Sequence, residues 1–286
     1  MFGFLNVYKP MGMTSHDVVA VLRKKLKIKQ IGHSGTLDPL ATGVLPIAIG
    51  KATRLIEYLS DEKAYIVSLQ FGKISDTYDT EGKVESFSNI KVENGQMEIA
   101  LKDFLGKIEQ IPPAYSAVHY NGKRLYELAR EGIIPEDIPK REVFIEEIKL
   151  IEFDEENQLA SLYVKCSKGT YIRTIVHDLG QKLGAGAVMT ALERVLSSTF
   201  SKENSVKLDD IESADDAKKW LINPVDVLSY NQKLLTDVEL EKVKHGNSLL
   251  NDGNYNDGIL LLKQNNTLIA VGLAEGNIIK ISKVLV

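Results

Sequence analysis

Residues 32–43 read Gly-His-Ser-Gly-Thr-Leu-Asp-Pro-Leu-Ala-Thr-Gly and carry the strongest chemical signal in the chain. Their one acid, Asp38, stands directly before Pro39. Proline disfavours helical geometry at the residue before it and contributes no N–H, so Asp38 is expected in an extended turn. Gly32, Gly35 and Gly43 let the backbone turn tightly and approach a ligand. A carboxylate presented in this way can act as a nucleophile or a base. The same residues also describe an ordinary Asp-Pro turn between two core elements.

Such a loop must be held by regular elements, and the flanking sequence supplies them. Thr14-Ser-His-Asp17 reads as a capping box, and Val18, Val19, Leu22 and Leu26 follow at helical spacing. Lys24, Lys25 and Lys27 would then face outward. Val44–Ile49 is an apolar run ended by Gly50, which predicts a buried strand; 51–59 reads as a helix. Tyr65, Val67, Leu69 and Phe71 alternate with Ile66, Ser68 and Gln70 at strand period. Further strands are expected at 143–153 and 159–166 around an acidic turn, and a helix at 174–183 before Gly184 and Gly186. Strands and helices alternate irregularly, so the expectation is an α+β fold with a mixed, mainly antiparallel sheet. Near residue 231 the composition shifts. Apolar runs at 258–262 and 267–273, joined through Lys263-Gln-Asn-Asn266, predict a hairpin, and 278–286 a third strand. The organisation expected is a catalytic domain over 1–230 and a small β-rich domain over 231–286.

The chain has 286 residues, a formal charge of −4 and one cysteine. That excludes an internal disulfide and suits a reducing compartment. Cys166 alternates with Leu162 and Val164, so it reads as core. No basic-then-apolar leader opens the chain and no apolar run nears membrane-spanning length, so a soluble, cytoplasmic protein is expected. The charge is polarised. Residues 1–60 hold eight basic and three acidic side chains, a net +5, which leaves −9 for the remainder. A basic region around the Asp38 motif suits an RNA surface, and Arg23–Lys29 suits equally a solvated helix face. Residues 120–141 mix Lys123, Arg124, Arg130, Lys140 and Arg141 with Tyr120, Tyr126, glycines and prolines, a composition that fits nucleic-acid contact or an ordinary surface helix.

Five segments in order resemble the TruB family of tRNA pseudouridine synthases: KPMGMTSHDVV at 9–19, GHSGTLDPLATGVLPIAIGKATRL from Gly32, AYIVSLQFGKISDTYDTEG at 64–82, PPAYSAVHYNGKRLYELAREG at 112–132 and SKGTYIRTIVHDLGQKLGAGA at 167–187. The resemblance spans roughly residues 2–200. It implies a pseudouridine-synthase-type catalytic domain with a thumb-like insertion at about 120–141 and a PUA-like domain in the tail. It implies that Asp38 is the catalytic carboxylate, Tyr65 stacks on the target uracil, Arg173 pairs with the aspartate, and Tyr171 and Leu192 line the uracil pocket. His33 would help fill the space opened by flipped nucleotides. Lys9, Lys123 and Arg124 are weaker candidates for RNA contact, Lys9 equally for structural support.

Pseudouridine formation breaks the bond from ribose C1′ to uracil N1, turns the base and rejoins it through C5. It needs no cofactor, metal or redox change. Asp38 could add to the base, attack C1′ or take a sugar proton. By the same resemblance the substrate is the uridine at position 55 in the T-loop of tRNA, and the protein acts as a monomer without guide RNA, protein partner or membrane. The alternative is a non-catalytic RNA-binding or tRNA-chaperone protein on the same fold. Two departures from the family pattern, His119 and Glu193, stand where basic residues are common and remove positive charge from the expected RNA surface. Asp76 and Asp79 could supply the second carboxylate a glycoside hydrolase requires. One cysteine is too few for a zinc deaminase, and Gly43–Lys51 lacks P-loop spacing. All candidate catalytic residues precede 231, so a chain ended near Tyr230 is expected to retain turnover with weaker RNA binding.

Overall fold

Thr14 caps a helix, as its spacing predicts. In the computed structural model, which describes all 286 residues, Thr14 Oγ1 accepts from the Asp17 N–H at 3.1 Å and Asp17 Oδ2 accepts from the Thr14 N–H at 2.8 Å. The helix runs Ser15–Leu26 and ends at Lys27 in the left-handed region, φ 56°. Its buried residues Val18, Val19, Leu22 and Leu26 join Leu5, Val7, Leu45, Ile47 and Ile49 in one apolar cluster. Lys24 and Lys27 are exposed as expected, but Lys25 is half-buried and donates to the Leu208 carbonyl at 3.3 Å.

The chain divides into two compact units. The first comprises Met1–Asp38, Val44–Ser60 and Ser198–Val286. Here the strand Gly3–Lys9 pairs in parallel with Val206–Lys207, and Ile31–His33 runs antiparallel to 47–49. The helix expected at 51–59 is present as a long 3-10 turn, Gly50–Tyr58, with Ala52 and Leu55 turned inward.

The tail forms its own five-stranded sheet, in the order Asn231–Leu234, Gly258–Gln264, Thr267–Glu275, Ile278–Val284 and Leu249–Leu250. The expected hairpin is there, and Asn265 at φ 53° turns it. Strand alternation gives this sheet two buried faces. Leu260 and Leu262 pack with Leu240, Val243 and Ile279. Leu261, Leu268, Val271 and Leu285 pack instead with Phe4, Val44, Ala48, Leu55 and Phe200. The tail thus has a core of its own on one face of its sheet and shares the other face with residues that precede it. Each buried aliphatic side chain contributes about 1.5–3 kcal/mol, so removing residues 231–286 would expose an apolar surface of the remainder.

The second unit comprises Pro39–Gly43 and Asp61–Ser197. Five antiparallel strands lie in the order Ala187–Ser197, Lys63–Phe71, Leu159–Cys166, Arg141–Asp154 and Gly106–Gln110. Tyr65, Val67, Leu69 and Phe71 are buried, as their period predicts. The helix Ile172–Lys182 buries Ile172, Ile175, Val176 and Leu179. At Gly180 a Cβ would lie 2.2 Å from the Ala187 nitrogen, so only glycine allows the chain to return this closely to its strand. Gly43, at φ 104°, pairs with Arg194, and a Cβ there would lie 2.2 Å from the Arg194 oxygen.

Candidate active site

The loop between strands Ile31–His33 and Thr42–Ile49 carries Asp38, and the first unit fastens the loop just before that residue. The Ser34 N–H donates to the Pro46 carbonyl at 3.0 Å. Ser15 Oγ accepts from the Leu37 N–H at 2.8 Å and donates to the Leu37 carbonyl at 3.3 Å. One buried hydroxyl at the start of a capped helix therefore satisfies both backbone groups of the residue preceding the carboxylate. The Leu37 side chain is buried, and Asp38 follows it half-buried. His33 is also half-buried and meets the exposed His16 ring edge-on, 5.1 Å between centroids. Lys9 is fully buried. Its ammonium donates to the Pro10 carbonyl at 2.8 Å and the Met13 carbonyl at 2.5 Å, closing the turn ahead of the helix. This geometry fits the structural reading of Lys9 and turns its charge away from solvent.

The second unit holds Tyr65, Tyr171, Arg173 and Leu192. Tyr65 is buried on its strand, in register with Val164 on one side and Arg194 on the other. Leu192 is buried one strand over, opposite Val67. Tyr171 precedes the helix, and the Gln110 side chain clasps its backbone: Gln110 Oε1 accepts from the Tyr171 N–H at 3.0 Å and Nε2 donates to its carbonyl at 3.3 Å.

Arg173 is buried. Its guanidinium donates to the Thr77 carbonyl at 3.1 Å and the Tyr115 carbonyl at 3.1 Å, and lies 3.3 Å from Asp79 Oδ2. Asp79 is buried too, and its Oδ1 accepts from Thr77 Oγ1 at 2.6 Å and from the Glu81 N–H at 3.0 Å. The sequence identified Arg173 but treated Asp79 only as a spare carboxylate. Asp79 is instead the buried counter-charge of Arg173, with further hydrogen bonds that such a charge requires. An Asx-turn in Asp79-Thr-Glu-Gly82 was the local signal available, and it says nothing about a partner 94 residues away.

Other ionisable groups are set apart from the chemistry by their surroundings. Burial pushes the Cys166 thiol up to about 11, which makes it a core residue and not a nucleophile. Burial, with Arg194 nearby, lowers Lys63 to about 8. No group of three or more His, Cys, Asp or Glu side chains is placed to hold a metal ion.

In the insertion, Lys123 and Arg124 are exposed. Lys123 pairs with Glu131 at 3.0 Å, and Arg124 and Arg130 lie 6.0 and 5.4 Å from the Tyr126 ring centroid. The segment folds as the short hairpin His119–Tyr120 with Lys123–Arg124, the helix Leu125–Arg130 and a loop to 140. Only Leu125 and Ala129 of that helix are buried.

Comparison with known proteins gives these residues a setting. The profile described as TruB family pseudouridylate synthase (N terminal domain) matches residues 23–172, and that of the tRNA pseudouridylate synthase B C-terminal domain matches 173–229. The protein named tRNA pseudouridine synthase B of Clostridium novyi (strain NT) is 42% identical over 292 residues, covering all of both chains. That of Synechocystis sp. is 46% identical over 255 residues, 87% of this chain and 86% of the relative. Among solved structures, a chain in a Cbf5-Nop10-Gar1 complex superposes with a TM-score of 0.75 at 26% identity, over 100% of this chain and 85% of the other. A chain of an H/ACA RNP bound to a substrate RNA containing 2′-deoxyuridine gives 0.74 at 25% identity, with the same coverage. The fold is therefore of pseudouridine-synthase type, α+β, with a mixed sheet and a small β-rich, PUA-like C-terminal part. The chain belongs to the TruB family of pseudouridylate synthases.

Proposed function

We propose that this enzyme isomerises uridine to pseudouridine in tRNA, at position 55 of the T-loop, with Asp38 as the catalytic carboxylate. The observation that carries this reading is the Asp38 loop itself. Its motif lies within the segment that matches the family's N-terminal domain, and its backbone is fixed at Leu37 with Asp38 half-buried beside it. The full-length relatives support tRNA as substrate, since each bears the name tRNA pseudouridine synthase B. The target uridine must leave its stack, at a cost of a few kcal/mol. Tyr65 then stacks on the detached uracil, Tyr171 and Leu192 bound its pocket, and His33 occupies space vacated by flipped nucleotides. Arg173 keeps positive charge beside the reacting carboxylate. The carboxylate engages the nucleoside while the C1′–N1 bond breaks, and the C5 proton departs after C5 has joined C1′. Lys123 and Arg124 contact RNA from the insertion, and the tail adds affinity. The protein acts in the cytoplasm as a monomer, without guide RNA. That distinguishes it from the solved neighbours, one in an H/ACA RNP and one in a Cbf5-Nop10-Gar1 complex.

Incubation with an unmodified tRNA transcript carrying 5-tritiated uridine, in EDTA, tests the reading. Tritium release that vanishes when the position-55 uridine is replaced by cytidine is the expected result. No release from any tRNA contradicts the enzymatic reading.

A further inference from the structure

One turn beyond Arg173 on the same helix, His177 stacks face to face with Tyr78, 3.9 Å between centroids and 13° between planes. Tyr78 lies between the two residues that Arg173 grips, Thr77 and Asp79. The segment 77–79 thus meets one helix face at three points: a carbonyl on Arg173, a ring on His177 and a carboxylate on Arg173. Tyr78 also adopts φ 66°, a left-handed conformation that a bulky residue seldom accepts. Glycine would take it without strain. Backbone bonds hold the same turn, with the Tyr78 N–H on the Ser75 carbonyl at 3.2 Å and the Met189 N–H on the Tyr78 carbonyl at 3.0 Å. His177 contributes no competing polar bond through Nδ1, which is buried without a hydrogen-bond partner. Burial lowers its pKa, which favours the neutral imidazole in the stack.

We infer that Tyr78 is a positioning residue, whose ring on His177 sets the angle at which Asp79 meets Arg173 and so fixes the guanidinium. A strained aromatic residue at this point is explained when its ring is needed, and the contact its ring makes is the stack on His177. Its effect reaches the chemistry only through Arg173, so the inference rests on the reading of Arg173 given above. Tyr78→Gly relieves the backbone and removes the ring; Tyr78→Phe keeps the stack; His177→Ala removes the partner.

The test compares tritium release, thermal unfolding and the Arg173 Nε–H signal in ¹⁵N NMR spectra, assigned with Arg173→Lys. Tyr78→Gly and His177→Ala are expected to lower kcat roughly 10- to 100-fold, the scale of a small misplacement, with KM little changed. The melting temperature of Tyr78→Gly should hold or rise, and the Arg173 signal should broaden. Tyr78→Phe should restore both kcat and the sharp signal. Wild-type kcat in Tyr78→Gly, a kcat loss only in step with lost stability, or failure of Tyr78→Phe to rescue overturns the inference. If wild-type protein shows no turnover, the functional reading beneath it has failed, and the NMR comparison still decides whether Tyr78 orders Arg173.

Discussion

Asp38 and Asp79 both sit in glycine-flanked turns, and their surroundings treat them in opposite ways. Asp38 is half-buried, and the bonds that fasten its loop go to the backbone of its neighbour Leu37 through the neutral hydroxyl of Ser15. Asp79 is buried, and both of its oxygens are engaged, one by the Arg173 guanidinium and the other by Thr77 and Glu81. A carboxylate that must react needs a backbone held in place. A carboxylate that must orient a cation needs burial and saturated oxygens, as Asp79 has. The two carboxylates differ in burial and in what fastens their turns.

Deleting residues 231–286 should separate the two regions most sharply. The tail packs its Leu261, Leu268, Val271 and Leu285 into the core that also holds Val44 and Ala48, beside the Asp38 loop in sequence. Hydrogen exchange should show lost protection across 1–60, with the strands of 61–197 less affected. A stable truncated protein with full protection in 1–60 would show that the tail is dispensable to that core. The shared packing sets the lost protection against the expectation that a chain ended near Tyr230 retains turnover with weaker RNA binding, and the measurement decides between them.

Asp79→Asn should come next in size. It removes the Asp79 charge from beside the buried Arg173 guanidinium, and breaking a buried pair typically costs about 3–5 kcal/mol. The melting temperature should fall by several degrees and kcat should drop with it. Arg173→Lys should fail to substitute, because an ammonium cannot span the Thr77 and Tyr115 carbonyls and Asp79 together as the planar fork does. A lysine variant with wild-type kcat would remove the distinction drawn between the two aspartates.

The smallest expected effect concerns Asp178, one residue beyond His177. Burial pushes its carboxyl up to about 6 from an ordinary 3.8, and no hydrogen bond or ion pair reaches it. Below the ordinary value both folded and unfolded chains keep the proton. Between there and about 6 the unfolded chain ionises first, so stability is lost as pH rises through this window. Asp178→Asn should therefore stabilise the protein by about 1 kcal/mol near neutral pH, after allowance for solvent screening, and have no such effect at acid pH. Thermal unfolding at both pH values checks this, and an equal gain at both would assign the effect to packing.

Much of this was legible in the amino-acid order, where the signal is local. The Thr14–Asp17 box, the Tyr65–Phe71 alternation and the hairpin at 258–273 each depend on residues a few positions apart, and each formed as spacing predicts. The turn that carries Asp38 was legible for the same reason, while its catalytic role was drawn from the family resemblance. Three features were not. Lys9 was read as either RNA contact or structural support, and charge alone does not show that its ammonium turns inward to two carbonyls. Asp79 and Arg173 are distant in sequence, and only the fold brings them together. The tail's second apolar face, Leu261 with Leu268 and Val271, looks like ordinary strand alternation until its partner surface is present.

The central claim, that Asp38 performs the chemistry on a loop fastened at Leu37, is tested most directly by Asp38→Asn. Tritium release from 5-labelled tRNA and tRNA affinity are measured on the same sample. The amide keeps the shape and the Leu37 fastening, so melting temperature and affinity should stay close to wild type. Turnover should fall by roughly 10⁴-fold or more, the scale seen when a nucleophile is removed. Turnover within about tenfold of wild type, in a variant that folds and binds normally, would contradict the account and leave Asp38 as a turn residue.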